Sequence, residues 1–558
     1  MRRMKQILCL TLAVSLLSAA PILVRAEFEE DEPISVLLDT VSAEDGAPAP
    51  RDVDLKTADV SVYPTVSIGG GFHWLYHYEP SSLSEHQVRG ELAFDPGAVL
   101  DIVMPLLDVI PEALKALNYD LLVDKGIEAF QSWYGPIQMD ENGDSIQKDL
   151  SYEESNWDDW QISGAPDYFQ FGFDWRLDPM ENAKKLDDYL TLLETTRSDN
   201  AGKYNFLVTS GSAPILFCYL KHFDPEMKRL ASLVLNIAMH NGVSMWGELA
   251  KGNMKLDTEA LGKLKIEGIS MGGGTLDVEG MGIPPLQPLL RILYEIGLFE
   301  LPERIGKLAV QRVIDRVYKE VMIPYIFTMP SYWTYVPQKD YEAAKKFLLS
   351  DPKYAGLVEK LDYYRTTVMP YADDLVLAAA AKMKVGVRAG YGFPMWPIAG
   401  GTAVQSDNSV DTVYASLGAL CSPVDQTFSP WYQQAKDCGK QGHNHVSPDR
   451  MIDASTCLLP DQTWFAKNKP HGTENSYSGW YDWFRQAQFL PTVINDDDYP
   501  QYVNTVLVPN RNDNTMGDYE PLVVEGDPEP AWLWALKAAG LWLLKIWRWL
   551  LRLPLFWV

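Results

Sequence analysis

The sequence predicts an α/β fold: a mostly parallel central sheet with crossover helices, an inserted helical cap and a C-terminal amphipathic helix. Three observations carry this. Between residues 62 and 223 strand-like runs alternate with helix-like runs, the pattern of a parallel sheet wound with crossover helices. From about Asp224 to Lys384 the pattern turns mostly helical, as in "PPLQPLLRILYEIGLF", "LAVQRVIDRVYKEVMIPYIF" and "YEAAKKFLLS". "MKVGVRAGYG" then returns to strand character, and the stretch to about Pro509 is rich in loops and aromatic residues.

The first residues, "MRRMKQILCLTLAVSLLSAAPILVRA", set Arg2, Arg3 and Lys5 before an apolar stretch and end in the small-residue pattern Val24-Arg25-Ala26, the layout of a secretory signal cut after Ala26. The acidic, proline-containing run that follows, residues 27–60, reads as an exposed leader. Order is expected from about Val62. "VYPTVSIGGGFHW" is a strand feeding a triple-glycine loop, and "DYFQFGFDWRL" is a second strand. In "DPMENAKKLDDYLTLLE", Asp178 and Pro179 supply a helix start, and Leu186, Tyr189, Leu190 and Leu193 recur at helical spacing. "KYNFLV" is a third strand and "APILFCYLKHF" a second helix.

Composition sets the class. The chain has 558 residues, 47% hydrophobic, 12% aromatic and 22% charged, which suits one large domain with insertions, or two domains, and a sizeable core. The formal net charge of -27 becomes more acidic when the four basic residues of the signal are lost, and such a polyanion repels nucleic acid. Cys9 leaves with the signal. Cys218, in an apolar helix-like run, is expected to be a buried free thiol, and an oxidising compartment would allow one bridge among Cys421, Cys438 and Cys457. No Cys-x-x-Cys or His/Cys cluster at zinc spacing is visible, so neither a structural metal nor a cofactor is expected.

"LVTSGSAPILFCYL" runs from an apolar strand through small and polar residues into an apolar helix, the profile of an elbow that presents a nucleophile. With "YPTVSIGGGF", "FGFDWRLDPMENAKKL", "SDNSV" and "QTWFAKNKPHG", this stretch makes the chain resemble a distant member of the lecithin:cholesterol acyltransferase-like group of α/β-hydrolases, which are lipases, phospholipases and acyltransferases. The matching segments are spread over residues 63–472. The "DWR" block is the most specific of them.

The resemblance implies a nucleophile, an acid and a histidine in that order, and the departure lies at the nucleophile itself. Ser210 keeps the spacing to the apolar helix but leaves Val208 and Ser212 where small glycines normally stand. Ser212 is a second register, with Pro214 in the first helical turn. A third puts Gly211 at the nucleophile position and would be catalytically dead. His471 is the expected base and Asp407 the residue that orients it. His443 and His445 are rival bases, and Asp411 is a rival acid. Backbone N–H groups of Gly71, Phe72 and Gly211 would form the oxyanion hole.

The tail, "AWLWALKAAGLWLLKIWRWLLRLPLFWV", places Lys537, Lys545, Arg548 and Arg552 within about 80° of one another on a helical wheel, and leaves the rest of the circumference to Leu, Ile, Ala and tryptophans such as Trp542 and Trp549. This pattern fits a helix lying in the membrane interface better than one spanning it. The expected organisation is therefore a signal (1–26), a leader (27–60), the first half of the core (61–223), a helical cap (224–384), the second half of the core with acid and histidine loops (385–524), and a linker with the interfacial helix (525–558). The expected function is a secreted, membrane-surface carboxylester hydrolase or acyltransferase acting on an ester or lipid-like substrate. The main rival is an inactive binding protein of the same fold, and a structural surface protein is a third reading.

Overall fold

The structure, a computed structural model, describes residues 53–69, 75–78, 89–95, 109, 119–151, 168–196, 202–256, 306–395, 399, 403–424, 426–440, 442–469, 471, 478–495, 497–505 and 519–523. Among these residues an eight-stranded sheet forms the spine. In chain order its strands are β1 (Thr65–Ile68), β2 (Tyr168–Phe171), β3 (Tyr204–Thr209), β4 (Leu230–Asn236), β5 (Lys384–Tyr391), β6 (Thr463–Lys467), β7 (Tyr502–Thr505) and β8 (Tyr519–Pro521). Their spatial order is β8-β7-β6-β5-β4-β3-β1-β2. All neighbours are parallel except β7 and β8, which close one edge antiparallel.

The central strands read as continuous apolar runs because both sheet faces are covered. Every residue of β4 and of β5 is buried. Alternation assigns the faces. Phe206, Val208, Leu233 and Leu235 join the main core, whereas Leu207 and Val234 face Trp464, Trp480 and Phe484 on the other side. Over the first face lie helices α1 (Pro179–Thr196), α2 (Ala213–His222) and α3 (Ala372–Lys382), with α2 packed against both of the others. Helix α4 (Ser478–Gln486) covers the second face. Gly386 of β5 makes room for it, since a Cβ there would lie 2.9 Å from both the Trp480 and Phe484 rings.

The expected strands and helices of residues 62–223 form. Asp178 starts α1 by accepting a hydrogen bond from the Met180 N–H at 2.7 Å, and Leu186, Leu190 and Leu193 are fully buried. A small antiparallel sheet of Leu75–Tyr78, Arg89–Phe94 and Leu150–Ser151 and a helix at Tyr119–Tyr134 also lie between β1 and β2.

Two boundaries and one disulfide need correction. The helical stretch expected from Asp224 begins instead with β4 at the centre of the sheet; "LASLVLN" is too short and too evenly apolar for its period to separate strand from buried helix. The helices described in this region are Ser244–Ala250 and those from Lys307 to Lys382, with π-helical turns at Tyr318–Ile326, around Pro324, and at Tyr364–Val368. The end of the expected leader is also part of the core: Val60 is fully buried, its N–H bonds the Arg485 carbonyl at 2.9 Å, and its own carbonyl accepts from Asn205 Nδ2 at 2.8 Å. Finally, Cys421, Cys438 and Cys457 are free thiols, as is the buried Cys218, so the expected bridge is not formed.

The expected signal, most of the expected leader and the expected interfacial tail, with Lys537, Trp542, Lys545, Arg548, Trp549 and Arg552, lie outside the described residues. Among the described residues no helix is long and apolar enough to cross a membrane.

Candidate active site

The site lies beyond the carboxyl ends of β3, β5 and β6, beside the switch point where the chain leaves β1 for β2 and returns to β1's other side at β3, the position at which open parallel sheets bind ligands. β3 ends at Thr209 in extended conformation, Ser210 to Ser212 form a tight 3-10 turn, and α2 begins at Ala213. Ser210 has φ of +55°, a left-handed conformation that a non-glycine residue adopts only when its surroundings enforce it. Two tethers do so here. The Met239 N–H, from the segment after β4, donates to the Ser210 carbonyl at 2.9 Å. The Ser212 hydroxyl lies 2.9 Å from the Ile68 carbonyl at the end of β1 and 2.8 Å from the Thr209 carbonyl.

The bend points Ser210 Oγ at His471 Nε2, 3.0 Å away. His471 follows β6, and its Nδ1 lies 2.8 Å from Asp407 Oδ2. A backbone bond from the His471 N–H to the Asp407 carbonyl at 2.9 Å ties the two loops together. The other carboxylate oxygen, Asp407 Oδ1, accepts the N–H groups of Ser409 at 2.9 Å and Val410 at 2.7 Å. With Oδ1 occupied by two donors and the side chain 2% exposed, Oδ2 is the acceptor for the Nδ1–H of His471. This tautomer leaves the Nε2 lone pair facing the Ser210 hydroxyl.

Close backbone approach holds the acid loop in place. A Cβ on Gly390 of β5 would fall 2.7 Å from Asp407 Cβ, so glycine is required for the loop to lie this near the strand. The Thr412 hydroxyl fastens the same loop to the Gly390 carbonyl at 2.8 Å.

Of the residues expected at the site, Ser210, Asp407 and His471 come together. Ser212 does not join them: it is fully buried and its hydroxyl is spent on the two carbonyls, which corrects its reading as an alternative nucleophile. Val208 fits without displacing the turn because it is a core residue of β3, paired in register with Ile68 and Leu235. Asp411 lies on the same loop as Asp407, but its Oδ2 accepts from the Ser244 N–H at 2.8 Å, and burial pushes its carboxyl up to about 6. His443 and His445 sit apart from the serine, beside Cys438. Gly211 follows Ser210 in the turn as expected, and Gly71 and Phe72 lie outside the described residues.

Sequence reasoning missed Met239 and Gly390, which act through the backbone and carry no side-chain signature. It also missed a cluster: Cys438, His443 and His445 bring ligand atoms within 4.8 Å of one another, although their Cys-x4-His-x-His spacing matches no common zinc pattern. The "DWR" block has a structural part. Arg176 and Asp174 form a buried two-pronged pair, Nε to Oδ1 at 2.9 Å and Nη2 to Oδ2 at 2.6 Å, and Arg176 Nη1 also donates to the Ile137 carbonyl at 2.9 Å.

Chemically, the row of hydroxyl, imidazole and carboxylate can pass the Ser210 proton to Nε2 as Oγ attacks an electrophilic carbon. Comparison of the chain with protein-family models, with curated proteins and with solved structures finds no match.

Proposed function

We propose that the protein is a serine carboxylester hydrolase or acyltransferase with Ser210 as nucleophile, His471 as base and then acid, and Asp407 as the residue that orients the histidine. The observation that carries this reading is the unbroken row from Ser210 Oγ through His471 to Asp407, at 3.0 and 2.8 Å, on a serine at φ +55°. In this reading Ser210 Oγ attacks the ester carbonyl carbon while His471 Nε2 takes its proton, then returns that proton to the departing alcohol. Water or an acceptor alcohol next attacks the acyl-serine, giving an acid or a new ester and restoring the Ser210 hydroxyl. The Gly211 N–H, next after the nucleophile, is one expected oxyanion donor.

The chain order of serine, acid and histidine, each following a strand of one parallel sheet, supports an α/β-hydrolase fold of the lecithin:cholesterol acyltransferase-like kind. The helices from Lys307 to Tyr363, between β4 and β5 in the chain, are then its cap, and α3 brings the chain back onto the sheet. The N-terminal signal pattern and the cation-striped tail support secretion and attachment to a membrane surface, where an acyl ester would also be found.

A fluorophosphonate probe tests the chemistry. Labelling of the folded chain that disappears in Ser210→Ala and persists in Ser212→Ala is the expected result; no labelling of the folded wild type, or labelling retained in Ser210→Ala, removes the proposal. Deleting residues 531–558 and measuring vesicle co-sedimentation tests the tail separately, and unchanged partitioning removes the membrane part.

A further inference from the structure

Cys438, His443 and His445 stand on the loop-rich stretch between β5 and β6, well separated in sequence from Ser210, Asp407 and His471. Cys438 Sγ lies 3.6 Å from His443 Nδ1, and the two imidazoles meet edge to face with centroids 4.4 Å apart. His445 is fully buried. Its Nδ1 is 3.0 Å from Gln501 Oε1, and the Gln501 amide nitrogen is already donating to the Pro460 and Thr463 carbonyls at 2.9 and 3.0 Å. Gln501 Oε1 is therefore the acceptor, Nδ1 carries the proton, and the Nε2 lone pair is presented to the cluster. Nε2 is buried without a hydrogen-bond partner, and so is the nearest oxygen, Asp461 Oδ1, 3.2 Å away. With the imidazole neutral, two acceptors face one another across that gap. Lys440 reaches only the other carboxylate oxygen, at 3.7 Å, and is half exposed.

We propose that this cluster is a structural zinc site, with Cys438 thiolate, His443 and His445 as ligands and Asp461, 3.2 Å from His445, as the nearest carboxylate for the fourth position. A Zn²⁺ bound by Nε2 and Oδ1 would satisfy both atoms, which a neutral imidazole leaves without a donor between them. Two of the spacings agree with tetrahedral zinc: bonds of about 2.0 to 2.1 Å to nitrogen or oxygen and about 2.3 Å to sulfur place neighbouring ligand atoms roughly 3.3 to 3.6 Å apart. The observed 3.2 and 3.6 Å lie close to the two ends of that range. One thiolate with imidazoles favours zinc over the hard cations that prefer oxygen-only sites. Gln501 plays the outer part usual at such centres, fixing the tautomer of a ligating histidine.

Binding would release the Cys438 thiol proton to solvent and leave both imidazoles neutral. The ion would staple the loop carrying Cys438 and His443 to Asp461, two residues before β6, the strand that leads to His471. It would also give a thiol in an oxidising compartment a partner other than a disulfide. The site is independent of the esterase reading.

The full chain, purified without a metal-binding tag or chelator, is assayed by mass spectrometry for metal, stripped, and titrated with zinc against a chromophoric chelator. One zinc per chain is expected, with a zinc-dependent rise in melting temperature and, after Co²⁺ substitution, a thiolate-to-cobalt charge-transfer band. Cys438→Ser abolishes the band, and Gln501→Ala weakens zinc binding about 10- to 100-fold. Circular dichroism of each stripped variant establishes that it is folded. A folded wild type that takes up no stoichiometric zinc, zinc retained with equal affinity in Cys438→Ser and His443→Gln, or a disulfide to Cys438 found by non-reducing peptide mapping overturns the proposal.

Discussion

Ser210 and Ser212 share one turn, yet their hydroxyls face opposite ways: that of Ser210 meets His471 Nε2 at 3.0 Å, while that of Ser212 is held between the Ile68 and Thr209 carbonyls. The two substitutions should therefore separate chemistry from stability. Ser210→Ala is expected to cut ester turnover by at least about 10⁴-fold with the fold intact. Ser212→Ala keeps fluorophosphonate labelling but costs about 1–2 kcal/mol, read from the urea midpoint, because two buried carbonyls lose a donor.

Asp407 and Asp411 allow a second separation. Asp407→Asn is expected to lower turnover by about 10⁴-fold, since an amide cannot enforce the tautomer that leaves Nε2 open. Asp411→Asn should leave turnover unchanged and alter the pH dependence of stability. Burial raises the folded-state pKa of Asp411 from 3.8 to about 6, so below about pH 4 the group is protonated in both states and costs nothing. Between about pH 4 and 6 the unfolded carboxyl ionises while the buried one keeps its proton, so a penalty grows and reaches on the order of 3 kcal/mol above pH 6 by linkage. Asparagine keeps an acceptor for the Ser244 N–H and removes the penalty. Urea midpoints of the two proteins should diverge at pH 7.5, in the variant's favour, and converge near pH 4.

Gly390→Ala probes the acid loop without touching a reacting group. The added methyl meets Asp407 Cβ at 2.7 Å, backed by the buried strand, so the loop must move outward. Turnover is expected to fall about 10- to 100-fold, through displacement of Asp407 from His471, with labelling slowed rather than lost. Equal labelling rates in the two proteins would show that the loop yields freely.

Arg176→Met takes the guanidinium away from the buried Asp174 carboxyl, which loses both side-chain bonds. A loss of about 3–5 kcal/mol is expected, measured by chemical denaturation. Arg176→Lys should recover only part of it, because an ammonium cannot reproduce the two parallel bonds.

The alternation of strand and helix from Thr65 to His222 was legible because each element carries its own period and start signal, as Asp178, Pro179 and the Leu186–Leu193 stripe do for α1. β4 was not, because seven buried residues in a row show no period at all. Ser210, Asp407 and His471 could be picked out as residue types in the right order. What the letters could not decide was the register of the turn, which depends on where β1 ends and on the carbonyls it offers Ser212. The Cys438 cluster was invisible for a related reason: its buried member, His445, is aimed by Gln501, 56 residues later in the chain.

Ser210 and His471 are 261 residues apart, and His471 and Asp407 a further 64. Among the strands that precede it in the chain, the strand leading to the histidine docks only against β5, and β5 in turn only against β4. A nascent chain, or a fragment ending before residue 463, therefore carries an idle serine however well its first half has folded. If Ser210 is the nucleophile proposed above, its reactivity waits until the last strands join, and probe labelling would count only completely assembled molecules.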